Sequence, residues 1–151
     1  MNEKKFILDY YKECSDFLLN TDVSDNIVSA KEMILTTQSN GGKIIFAGNG
    51  ASASIANHAS LDFTKQGKVR SVNFNESALI TAFSNDYGYE NWLAKALEFY
   101  ADEVDTLILI SCSGNSQNVV NAAKYANDNG INVITFTGHS RKNALKESGD
   151  I

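Results

Sequence analysis

Residues 106–116 read Thr-Leu-Ile-Leu-Ile-Ser-Cys-Ser-Gly-Asn-Ser. The first five residues form a short apolar run without polar alternation, the pattern of a strand buried on both faces. The serine- and glycine-rich end turns the chain into a helix expected over 116–129, which Asn129-Gly130 closes. The same unit occurs upstream. Lys43-Ile44-Ile45-Phe46-Ala47 predicts a buried strand, Gly48-Asn49-Gly50-Ala51-Ser52 a turn, and the next residues a helix to about Gln66. Downstream, Asn132-Val133-Ile134-Thr135-Phe136 predicts a strand, and Thr137-Gly138-His139-Ser140 leads into a short helix. Between these units, 69–74 reads as a further strand, and 76–83 and 90–101 as helical segments.

Strands alternating with helices imply an α/β fold, a parallel sheet with right-handed crossovers. Ligands in such sheets bind beyond the carboxyl ends of the strands. The segments 48–52, 111–116 and 137–140 all fall there. Two helices precede the sheet, over 5–19 and 24–38. The first carries Phe6, Ile7, Tyr10, Tyr11, Cys14, Phe17 and Leu18, and the second Ile27, Ala30 and Ile34. Such stripes need covering, and another subunit is one way to cover them. The end, Gly149-Asp150-Ile151, reads as the start of another strand.

The 151 residues suit a single domain, with a helical pair over 1–40 and a sheet core over 41–151. Hydrophobic content of 43% and charged content of 21% are globular values. No apolar run reaches the roughly 18 residues of a membrane span, and the start does not read as a signal peptide. A cytoplasmic location without membrane association is the expectation. The net charge of −5 argues against a nucleic-acid partner. It leaves room for a small anion, because backbone N–H groups and hydroxyls can hold phosphate without Lys or Arg. Cys14 and Cys112 stand far apart, in no CxxC, and predict no disulfide.

Three groups of residues can carry chemistry. Ser111, Ser113 and Ser116 supply hydroxyls where a strand passes into a helix, and Gly114 gives the backbone freedom there. These features suit a phosphate monoester, although Ser113 or Ser116 would also serve simply as a helix cap. The 48–52 turn is neither a GxGxxG nor a P-loop, so no nucleotide cofactor is expected. It reads either as a second ligand turn or as a tight turn with Ser52 at the N-cap. His58 and Asp62, four apart, share a helix face. They suit a metal or acid–base pair, or only a surface contact. Asn85-Asp86-Tyr87-Gly88-Tyr89-Glu90 reads as a polar, aromatic loop, with Asp86 either a sugar contact or an N-cap.

In order and spacing, these pieces resemble the phosphoheptose isomerase branch of the SIS (sugar isomerase) superfamily. GNGASA is similar to its GNGGSA turn, NDYGYE to its NDYGFE segment, and SCSGNSQN to its STSGNSxN phosphate loop. VITFTG and Gly149-Asp150 follow. The resemblance implies the SIS three-layer fold, a parallel sheet flanked by helices after two N-terminal helices. It implies aldose–ketose isomerisation of sedoheptulose 7-phosphate to a heptose 7-phosphate through an enediol, for surface-polysaccharide (lipopolysaccharide) synthesis. Ser111, Cys112, Ser113 and Ser116 would hold the phosphate. Asn49, Gly50, Ser52, Asn85, Asp86 and Asp150 would meet the sugar. His58 and Asp62 fall where the family has a His and a Glu for zinc and proton transfer. Members are homotetramers whose sites are shared between subunits.

Three departures from the pattern stand out. Ala51 replaces a glycine. Asp62 replaces the Glu and shortens the carboxylate's reach. The family pattern also continues past the position of Ile151 with a strand and a helix bearing a Gln and a His. The expectation is therefore a chain that binds phosphosugar better than it isomerises it, with zinc weak or absent. The alternative is a non-catalytic phosphosugar-binding or protein-binding SIS module.

Overall fold

In a computed structural model, the protein is described over residues 2–138 and 142–151. Helices α1 (Glu3–Asn20) and α2 (Ser24–Ser39) come first. Then follow β1 (Ile44–Gly48), α3 (Ala51–Lys65), β2 (Ser71–Asn73), α4 (Ser77–Tyr87) and α5 (Trp92–Tyr100). The chain continues through β3 (Thr106–Ser111), α6 (Gln117–Asp128), β4 (Asn132–Thr137) and α7 (Ala144–Glu147). The four strands form a parallel sheet in the order β2-β1-β3-β4.

Alternate residues of each strand feed two cores, because successive side chains point to opposite faces. Ile45, Ala47, Leu107, Leu109 and Val133 face a layer that includes Trp92, Leu93 and Leu97 of α5 and Val119, Ala122 and Ala126 of α6. Ile44, Phe46, Ile108 and Ile134 face the other way, toward Ala56, Ala59 and Phe63 of α3 and Ala30, Met33 and Ile34 of α2. The result is the three-layer α/β architecture expected from the continuous apolar runs. Thr37 of α2 is tied to Thr106 by a buried hydroxyl pair at 2.6 Å.

The order of the strands places the site. The chain leaves β1 toward β2 on one side, and returns to pair β3 on the other. Loops after β1 and β3 therefore diverge, and a crevice opens between them at their carboxyl ends.

Three expectations need correction. Asn85, Asp86 and Tyr87 are not loop residues but the last turn of α4, and Gly88, at φ 84°, terminates it. Asp86 is therefore not an N-cap. The β2 strand is shorter than the 69–74 run, because Val69 and Phe74 are buried beside it outside the ladder. Asp150 and Ile151 form no assigned strand, though Asp150 donates its N–H to Val133 and Ile151 accepts from Thr135 N–H at the free edge of β4.

Helix α1 is the outlier. None of its residues is buried. Phe6, Tyr10, Tyr11, Phe17, Leu18 and Leu19 are all more than half exposed.

Candidate active site

The crevice after β1 and β3 is a cleft of about 220 Å³ lined by Asn49, Ser52, Ser111, Cys112, Ser113 and Ser116. None of these side chains is charged. Two helices begin beside it, α3 after the first loop and α6 after the second. The first N–H groups of a helix lack intrahelical partners, and the positive end of the helix dipole lies there. An anion in the cleft would meet hydroxyls and two such helix starts rather than Lys or Arg.

The 111–116 loop is held open by its own bonds. Ser111 Oγ accepts from Gly114 N–H at 3.1 Å, and Ser113 Oγ accepts from Asn115 N–H at 3.2 Å. Each hydroxyl keeps its proton to donate. Ser116 is the N-cap residue of α6, but its side chain makes no capping bond, which leaves the hydroxyl to the cleft. Ser113 makes no cap bond to α6 either. Gly114 sits at φ 64°, and a Cβ there would collide with the side chain of Asn143. Its carbonyl accepts from Leu145 N–H at 2.9 Å, so the start of α7 buttresses the loop from behind. The lack of a side chain at 114 thus serves packing against Asn143.

On the other wall, Ser52 lies in the first turn of α3 and is not its N-cap. Gly50 takes that position at φ 54°. Asn49 is locked in place. Its Nδ2 donates to Asn118 Oδ1 at 2.9 Å, and its Oδ1 accepts from Asn118 Nδ2 at 2.9 Å. Tyr89 O–H donates to the same Oδ1 at 3.2 Å. One turn along α6, Asn121 Nδ2 donates to Glu90 O at 2.9 Å and Asn91 Oδ1 at 3.2 Å.

The structure thus gathers Asn49, Ser52, Ser111, Cys112, Ser113 and Ser116 into one cleft. Gly50 shapes its turn without lining it. Asn85 and Asp86 are exposed, and Asn85 Nδ2 donates to Asp86 Oδ1; neither lines the cleft. Asp150 is elsewhere: its carboxylate accepts from Val133 N–H at 2.7 Å, near the amino end of β4 and so at the wrong end of the sheet for a sugar contact. Residues His139 and Ser140 of the 137–140 segment lie outside the described residues. Tyr89 and Asn118 were missed. The available signal for Asn118 was an amide on the face of α6 that also carries Val119, Ala122 and Ala126.

His58 and Asp62 pair on α3, Nε2 to Oδ2 at 3.3 Å, with side chains 75% and 49% exposed. His58 is six residues past Ser52, about 9 Å along the axis. It lies on the outer face with Ile55 and Leu61, not in the cleft lining. No group of three His, Cys, Asp or Glu side chains suited to a metal occurs among the described residues. Two donors from one helix do not fit a catalytic zinc, which takes three protein ligands.

A family model described as SIS domain matches residues 9–138. A phosphoheptose isomerase of Aliarcobacter butzleri is 36% identical over 122 residues, covering 77% of this chain and 65% of that protein. One of Cytophaga hutchinsonii is 32% identical over 129 residues, covering 82% and 68% respectively. The chain thus spans about two thirds of the length of these relatives. The solved phosphoheptose isomerase of Francisella tularensis superposes with a TM-score of 0.89 at 29% identity, over 99% of this chain and 82% of that one.

Proposed function

The chain belongs to the SIS domain family, with phosphoheptose isomerases among its relatives, and we propose that it is a phosphosugar isomerase that holds its substrate by the phosphate in the cleft between β1 and β3. The observation that carries this reading is the cleft itself. It combines four serine hydroxyls and two helix starts without a single charged side chain. Such a set desolvates and binds a phosphate monoester through directed hydrogen bonds. A large apolar ligand would find little there to bury.

The finer reading is interconversion of sedoheptulose 7-phosphate and a heptose 7-phosphate, in the cytoplasm, for surface polysaccharide. A base takes the proton from the hydroxyl-bearing carbon beside the carbonyl while the carbonyl oxygen gains a proton from an acid, giving an enediol. The former carbonyl carbon then receives a proton while the other hydroxyl gives up its own, and the carbonyl moves by one position. His58 and Asp62 are the candidate acid–base pair. Their place on the exposed face of α3 supports a site completed by a second subunit, as does the company of exposed Ile55 and Leu61.

A second reading is a non-catalytic phosphosugar-binding or protein-binding module. The placement of His58 and Asp62 outside the cleft favours it, as does the shorter reach of Asp62. An isomerase assay on sedoheptulose 7-phosphate, with and without added zinc, separates the two. Turnover abolished by His58→Ala supports the isomerase. Tight binding without turnover supports the module. Absence of both binding and turnover overturns the phosphosugar reading.

A further inference from the structure

We infer that Asn118 is a positioning residue that fixes Asn49 as a hydrogen-bond donor toward the sugar, with the Tyr89 hydroxyl completing the arrangement. The inference rests on the phosphosugar reading of the cleft. A side-chain amide offers two N–H donors and two lone pairs. Asn118 takes one N–H of Asn49 and fills one lone pair of its oxygen. Tyr89 fills the other lone pair. One N–H remains, on a residue that lines the cleft. Asn49 therefore recognises an acceptor, a carbonyl or hydroxyl oxygen of the substrate, and cannot accept from a substrate hydroxyl.

Asn118 is suited to this task because it is 2% exposed. A buried amide left without partners is costly, so the reciprocal pair is strongly favoured over any looser arrangement. The same edge of α6 also holds the segment next to Tyr89 through Asn121, which donates to Glu90 O and Asn91 Oδ1. One helix edge thus sets the positions of both Asn49 and Tyr89. The serines of the phosphate loop make no bond to Asn49, Asn118 or Tyr89 among those described. The assignment therefore separates sugar recognition from phosphate recognition.

The test is calorimetric titration of wild type, Asn118→Asp and Tyr89→Phe with sedoheptulose 7-phosphate and with inorganic phosphate, at pH 8 and pH 5.5. A carboxylate at position 118 accepts from Asn49 but cannot donate back. A protonated carboxyl does both, and restores the pair. The expected result for Asn118→Asp at pH 8 is a loss of about tenfold in sugar-phosphate affinity, the scale of one hydrogen bond. Phosphate affinity stays at the wild-type value, and the deficit relative to wild type narrows at pH 5.5. Tyr89→Phe, an exposed change that leaves the core intact, gives a smaller loss for the sugar phosphate alone. Equal losses for both ligands, a deficit that does not narrow on acidification, or no loss in either variant overturns the assignment. If Asn118→Asp does not fold, Tyr89→Phe decides alone: a loss confined to the sugar phosphate supports the assignment, and any other result overturns it. Wild type that binds neither ligand overturns the phosphosugar reading itself, and that outcome is visible before any variant is compared.

Discussion

Ser113 and Ser116 lie on the same loop but in different states. Ser113 Oγ already accepts from Asn115 N–H, whereas Ser116 Oγ has no capping bond. Both can donate to a phosphate oxygen. A hydrogen bond to a charged group contributes about 1.5–3 kcal/mol, and the partial rehydration of a small cleft lowers the apparent loss. Ser113→Ala and Ser116→Ala are each expected to weaken sedoheptulose 7-phosphate binding by about 1–2 kcal/mol. The two should differ in stability. Ser113→Ala leaves Asn115 N–H without its partner, so a thermal melt should show a lower midpoint for that variant and none for Ser116→Ala. Unchanged affinity in both would contradict the loop assignment. At this scale the sequence was most informative where a residue type has one use. The three serines and Gly114 after a buried strand were readable as an anion loop. Asn118 was not, because an amide in a helix has no local signature and its role depends on Asn49, distant in sequence.

At the scale of elements, the cleft depends on β1 and β3 ending side by side. Their opposite ends are fixed by Asp105, fully buried. Its carboxylate accepts from Lys43 N–H at 2.8 Å, Asp102 N–H at 2.8 Å and Lys43 Nζ at 2.5 Å. Removing the carboxylate leaves two backbone donors without their partner and Lys43 Nζ with only Asp102 Oδ2, at 2.9 Å. Asp105→Ala should therefore destabilise the fold by about 3 kcal/mol in urea denaturation. A loss below about 1 kcal/mol would show that water substitutes for it. Elements β1 and β3 were legible because runs such as Ile44-Ile45-Phe46 have no polar face to offer water. The α4 boundary was not legible. Asn85, Asp86 and Gly88 are turn formers by propensity, but Phe83 and Tyr87 stack edge-on at 5.7 Å and carry the helix one turn further. Only Gly88, with its positive φ, marks the true end.

At the scale of the whole molecule, α1 presents a surface that a lone chain leaves unexplained. Helix α1 buries nothing, yet presents Phe6, Tyr10, Phe17 and Leu18 to solvent. Apolar faces of this extent mark association. Light scattering at micromolar concentration is expected to give a tetramer, and Phe6→Glu with Phe17→Glu should lower the mass. A clean monomer for wild type would contradict assembly through α1. The stripe raises self-association as an expectation and leaves its geometry open, because nothing in an amphipathic pattern says which surface covers it.

The account as a whole turns on the claim that the cleft between β1 and β3 recognises a phosphate on a sugar. Calorimetry of the wild-type protein with sedoheptulose 7-phosphate and with unphosphorylated sedoheptulose tests it most directly. The predicted result is saturable binding of the phosphorylated sugar and affinity for sedoheptulose lower by at least about 100-fold, the combined weight of two charge-assisted hydrogen bonds. Equal affinity for the two sugars, or binding of neither, would contradict it.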